Sequence, residues 1–215
     1  VSQARSQSWG NNATVRAADG SAYVLDPYEY AAALAYMYTG SSPDRTLLTA
    51  AQNGSLENAN SLSQQIDRLL DSDLGKAQIG RFAGMWFRTD DVVNMTRNST
   101  ALTQAVKDSM AQEIREIYKY AFYNNLPFTD IYTGEYTVLN STLSQYYGLS
   151  GGGTSATDWR VVNTANSKRG GVLASGAFMT VNAHAGRTGP IKRAVHVRQD
   201  VLCQNIPLPT SFVDN

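Results

Sequence analysis

The chain has 215 residues, 42% of them hydrophobic and 17% charged, enough to bury a core without metal or disulfide staples in one large domain or two small ones. Eighteen basic residues balance eighteen acidic ones, which removes the net field that would draw the whole surface to nucleic acid or anionic lipid. The single cysteine, Cys203, excludes an internal disulfide and any Cys-Cys metal site, and no apolar run approaches the ~20 residues that span a bilayer.

Residues 1–24 are polar and aperiodic and open with neither Met nor signal peptide, so the chain reads as a processed product or a fragment. Asp26-Pro27-Tyr28-Glu29 then supplies an N-cap, a proline at N1 and a carboxylate at N3. The helix it starts runs to Tyr38 and stops at Gly40, with Leu34, Met37 and Tyr38 on an inward stripe. Ser42-Pro43-Asp44 opens a short helix through Ala51. Leu62, Ile66, Leu69 and Leu70 predict a third helix over 60–70, and Ile79, Phe82, Ala83 and Trp86 a fourth over 74–87.

The longest helix is expected over 100–123, where Met110, Ile114, Ile117, Tyr118 and Ala121 recur at three-and-four spacing until Asn124-Asn125-Leu126-Pro127 ends it. Tyr118, Tyr120, Phe122, Tyr123 and Phe128 read as the aromatic ends of a helical core, ahead of a stacking platform for sugar. A short helix over 141–147 precedes Gly148. Ser150 to Ser155, with three consecutive glycines, is the clearest flexible joint, and the domain boundary is placed there.

Beyond the joint, Trp159-Arg160-Val161-Val162 predicts a short strand, and Gly170 to Val181 an apolar helix flanked by Lys168-Arg169. Asn182 to Gly189 is a polar loop. Pro190 sits at N1 of a last helix reaching Cys203, after which Pro207 and Pro209 prevent a regular continuation. The fold class is therefore mainly α. An irregular multi-helix domain over 25–149 carries a smaller C-terminal helical subdomain over 150–215 packed on it, with few or no short strands.

Chemistry is sparsely marked. The two histidines, His184 in the polar loop and His196 on the last helix, have no second ligand at a usual metal spacing, so no metal site is expected. The chain has no Cys-x-x-Cys-His for covalent attachment of a c-type haem, and no cofactor is expected in this segment. Ser175 lies outside a Gly-x-Ser-x-Gly elbow, Gly151-Gly152-Gly153 lacks the Lys-Ser/Thr of a phosphate loop, and Asp90-Asp91 reads as a solvated turn. Five Asn-x-Ser/Thr triplets begin at Asn12, Asn53, Asn94, Asn98 and Asn140. The densest polar signal is C-terminal: Arg169, Arg187, Lys192, Arg193 and Arg198, interleaved with His184 and His196. These arginines are candidates for binding a carboxylate or phosphate through bidentate contacts, and equally for anchoring loops to carbonyls and acids. Arg187 and Arg193 are expected to hold the loop containing His184.

Leu25-Asp26-Pro27-Tyr28-Glu29, Thr39-Gly40-Ser41-Ser42-Pro43-Asp44, Phe82-Ala83-Gly84-Met85-Trp86, Tyr136-Thr137-Val138-Leu139-Asn140 and Tyr146-Tyr147-Gly148-Leu149 together resemble the domain of unknown function 1592. Arg169-Gly170-Gly171-Val172-Leu173, Arg187-Thr188-Gly189-Pro190-Ile191-Lys192-Arg193 and Leu202-Cys203 resemble its usual neighbour, the domain of unknown function 1588. The resemblance implies a piece of the large exported bacterial proteins, common in planctomycetes, whose other segments often include c-type cytochrome domains. On that basis the chain is expected to be a non-catalytic accessory module, periplasmic, cell-surface or extracellular. Its expected partners are the other segments of the same protein, a haem domain among them, or a polymer such as a polysaccharide. The alternative is part of an enzyme, oxidative and polysaccharide-directed, whose site is completed by segments outside this chain. The resemblance also makes Cys203 a candidate for a disulfide to such a segment, with a buried apolar role at the end of the last helix as the other reading.

Overall fold

The computed structural model describes residues 25–167 and 169–207. The N-terminal polar segment, the Asn12 triplet, Lys168 and Pro209 lie outside the described residues. Helix α1 (Pro27–Thr39) begins as the sequence predicts: the Asp26 carboxylate accepts from the amides of Tyr28 and Glu29, both at 2.8 Å, and Glu29 accepts from the Asp26 amide. It ends on Gly40 in the left-handed region at φ 64°. Helix α2 (Arg45–Gln52) is capped by Asp44, and α3 (Ala59–Asp71) by Asn58. From α3, Arg68 grips the capping Asp44 with two guanidinium nitrogens, at 2.6 and 3.0 Å, tying the start of one helix to the flank of another. Ala31, Leu34 and Ala35 of α1 bury against Leu47, Ala50 and Ala51 of α2, Leu56, and Leu69 of α3. Met37 does not join them and is 68% exposed. A step of about 100° per residue carries it off the face that Ala31, Leu34, Ala35 and Tyr38 share.

The chain divides into two compact units between Ile79 and Gly80, within α4 (Asp73–Trp86). The second unit is built on α5 (Gln104–Tyr123), capped by Thr103 and four residues shorter at its start than the periodicity predicts. Its Val106, Met110, Ala111, Ile114, Ile117 and Ala121 form the spine of a core closed by Ala83, Phe87, Val92, Ile131, Val138, Leu139, Leu143, Val162, Val172 and Ala177. Phe82, expected inward, is 47% exposed and packs instead on the rims of Trp86 and Tyr118.

After the single turn α6 (Asp130–Thr133), β1 (Tyr136–Leu139) leads into α7 (Ser141–Tyr147), and β2 (Arg160–Asn163) returns antiparallel to β1 with Thr137 opposite Val162 and Val138 opposite Val161. The glycine stretch between α7 and β2 does not hang free. The Gly153 amide donates to the Leu139 carbonyl at 2.9 Å, and a Cβ at residue 153 would collide with the carbonyl of Asp158. Val162, Val172 and Ala177, all downstream of these glycines, enter the same core as α5.

The apolar run expected as one helix over 170–181 is broken in two. A 3-10 turn at Val172–Ala174 gives way to extended Ser175, whose hydroxyl accepts from the Phe178 amide and starts α8 (Gly176–Val181). The last helix, α9 (Pro190–His196), is also shorter than expected. It widens into a π turn at Val197–Val201, where the Leu202 amide donates to the Val197 carbonyl, and Cys203 at φ 51° ends it. Cys203 is therefore exposed, which removes the buried apolar role the sequence left open for it. No helix among the described residues is long and apolar enough to cross a membrane.

Candidate functional site

A cleft of about 390 Å³ lies where the loop after α8 meets the segment before α5, and Arg97, His184, Arg187 and Arg193 line it. Asn98, Ser99 and Thr188 add amide and hydroxyl groups, while Tyr146 and Met179 form one wall. No carboxylate among the described residues lines it. Elsewhere among the described residues arginines find acids: Arg68 with Asp44, Arg88 with Asp200, Arg115 with Asp90 and Arg160 with Asp158. Arg97, Arg187 and Arg193 have no such partner among the described residues.

The loop is held by a residue the sequence did not single out. One guanidinium nitrogen of Arg97 donates to the carbonyl of Thr180, in the last turn of α8, and, at 3.3 Å, to that of Ala183 in the loop after it. The Asn98 amide donates to Ala185, and the His184 amide closes the loop on the Arg187 carbonyl at 2.9 Å. Arg193 donates to the Met179 sulfur at 3.0 Å, and the exposed Arg187 side chain projects without a hydrogen-bonding partner among the described residues. Arg198 donates to Gln204 and does not line the cleft.

His196 sits apart, buried against Phe178 with Nδ1 3.2 Å from the Asn182 amide oxygen. Burial holds its imidazole below the usual histidine range, with Arg88 acting in the same sense and Asp200 against it. Ser175 is spent as a helix cap and Asp90 as the partner of Arg115, so neither is poised as a nucleophile or base. The aromatic residues at the end of α5 are less buried than the sequence suggests. Phe122 and Phe128 are exposed and, with Tyr118, Leu126 and Ile131, line a separate hollow of about 340 Å³.

Beside the cleft, sharing Tyr146, Met179 and Thr180 with it, is a cavity of about 600 Å³ that holds the remaining candidate, Arg169. The Arg169 guanidinium carbon lies 3.9 Å from the centre of the Tyr147 ring. Behind that ring the Tyr147 hydroxyl donates to Glu113 at 2.7 Å and accepts from the Gly176 amide at 3.1 Å, and the Thr137 hydroxyl takes the other Glu113 oxygen at 2.6 Å. Glu113 is 2% exposed, and burial raises its carboxyl above the usual range against the pull of both hydroxyls and the Arg169 charge. The same burial, with Glu113 beside it, lifts Tyr147 well above its ordinary value near 10. Glu113 was legible only as an acid on the apolar stripe of Met110, Ile114 and Ile117. Arg97 carried no signal at all.

Among the described residues no three His, Cys, Asp or Glu side chains gather in a way that would hold a metal ion. Fold and cleft together describe a mainly helical protein with an arginine-lined recess that holds no acid among the described residues. Residues 25–149 match the family described as protein of unknown function (DUF1592), and the chain belongs to that family. Residues 169–215 match a second family, protein of unknown function (DUF1588), whose short label, PSCyt3, is a cytochrome-associated one. No curated protein and no solved structure matches the chain.

Proposed function

We propose that this chain is a non-catalytic accessory module of a larger exported, redox-associated protein, and that its cationic cleft receives an anionic group of a partner. The observation that carries the reading is the convergence of Arg97, Arg187, Arg193 and His184 on one recess with no carboxylate among the described residues, in a chain whose total charge is zero. Cations placed together without counter-charges gain most from an incoming anion, and arginine forks bind carboxylates in pairs of parallel hydrogen bonds. The pairing of the two family matches, one with a cytochrome-associated label, supports a haem-bearing segment of the same protein as that partner, with an acidic polymer as the other member of the class. Cys203, exposed at the end of the π turn, is available for a disulfide to such a segment.

The test is a calorimetric titration of the 215-residue chain with the haem-bearing segments of the longer protein and, separately, with a carboxylated polysaccharide. Binding of either that weakens with salt and falls about tenfold or more in an Arg187→Glu, Arg193→Glu double variant is expected. Tight binding that the double variant retains would refute the role of the cleft, and no binding of either probe would refute the accessory reading.

A further inference from the structure

The cavity beside the cleft has a different character. Met110, Met179, Leu173 and Ala174 give it apolar walls, Tyr146 and Tyr147 supply aromatic surface, and among the described residues Arg169 is the one charged side chain lining it. A recess of several hundred cubic ångströms, mostly apolar with a few fixed polar groups, is the usual form of a small-molecule site. The Arg169 guanidinium rests over the Tyr147 ring, and its N–H groups form no ion pair or side-chain hydrogen bond among the described residues. Tyr147 is itself clamped by Glu113 and the Gly176 amide. A Cβ at residue 176 would strike the Tyr147 hydroxyl and the Met110 methyl, so the floor of the cavity is built on a glycine.

We infer that this cavity binds a small apolar carboxylate, an aliphatic or aryl acid whose headgroup meets the free edge of Arg169 and whose body lies against Met110, Leu173 and Met179. One planar fork in apolar surroundings matches the single charge and two oxygens of a carboxylate. Glu113 does not compete for that edge, since both its oxygens are taken by the Thr137 and Tyr147 hydroxyls.

The experiment titrates the full 215-residue chain with decanoate, decanol and decyltrimethylammonium by calorimetry, all below their micelle concentrations. Decanoate is expected to bind about tenfold or more tightly than decanol, the factor that one charge-assisted pair of hydrogen bonds contributes. The trimethylammonium probe is expected not to bind. Arg169→Gln should reduce decanoate affinity by about tenfold and bring it level with decanol, while Arg187→Gln stays within about twofold of the unaltered chain, which separates this site from the cationic cleft. Equal affinity for decanoate and decanol, or no decanoate binding, overturns the inference on the unaltered chain alone, whatever the folding of the variants. Loss of decanoate binding in Arg187→Gln with retention in Arg169→Gln overturns it as well.

Discussion

Replacing Glu113 by alanine removes the acceptor on which two buried hydroxyls depend. Thr137 and Tyr147 donate to its two oxygens, and only Tyr147 keeps another bond, as acceptor of the Gly176 amide. Each orphaned buried donor costs about 1–3 kcal/mol, so Glu113→Ala should lose about 2–5 kcal/mol, part of it offset because a buried carboxyl no longer has to be desolvated. Glu113→Gln keeps the shape and one acceptor and should cost only about 1 kcal/mol. The pH dependence sharpens the test. Because the folded carboxyl is raised above its ordinary 4.5, the native state holds a proton that the unfolded chain has released, and stability falls as pH rises from 4.5 through the folded value. Glutamine removes that slope, so its cost relative to the unaltered chain is largest below pH 4.5 and shrinks above it. Urea unfolding followed by tryptophan fluorescence reads the right core, since Trp86 and Trp159 both pack on it. A glutamine cost that grows with pH, or an alanine variant within about 0.5 kcal/mol of the parent, would refute the reasoning.

Asp44 both caps α2 and receives the Arg68 fork, so Asp44→Ala should destabilise by about 1–2 kcal/mol and Asp44→Asn by less, because the amide still caps. The Arg68 contact holds its carboxyl below the ordinary 3.8, so its contribution is present above that pH and lost as pH falls through the lowered folded value; an acid titration of unfolding that is identical in the two chains would contradict this. Gly153→Ala drives a methyl into the Asp158 carbonyl beside β1 and should cost about 1–3 kcal/mol in thermal unfolding. Gly186→Ala, where the nearest group is the Asn98 side-chain amide at 3.4 Å, should be nearly neutral by the same assay.

Helix starts and stops were the legible part of this chain, because the chemistry that makes them is local. Asp26, Pro27 and Glu29 complete a cap within four residues, and Gly40 and Gly148 each turn left-handed at the end of a helix. What escaped was set by partners distant in sequence. Tyr136–Leu139 is only four residues long, and its hydrogen bonds go to a strand on the far side of α7 and the glycines. Arg97 acquires its meaning from carbonyls more than eighty positions later, at Thr180 and Ala183. The site was half visible. Arg187, Arg193 and His184 do line one cleft, but the acids that pair with other arginines and leave these alone are placed by the fold.

The β1–β2 pairing also bears on how such a chain can be inherited. Its first strand lies inside the segment that matches one family, residues 25–149, and its second lies in the stretch between the two matched segments. Val172 and Ala177, from the second matched segment, fill the same core. A recombination event that separated the segments after residue 149 would leave Val138 and Leu139 on an open strand edge and a hole where three downstream apolar side chains had been. In this chain, then, the two matched segments depend on one another for a complete core, and a cut at that seam would cost both of them buried contacts.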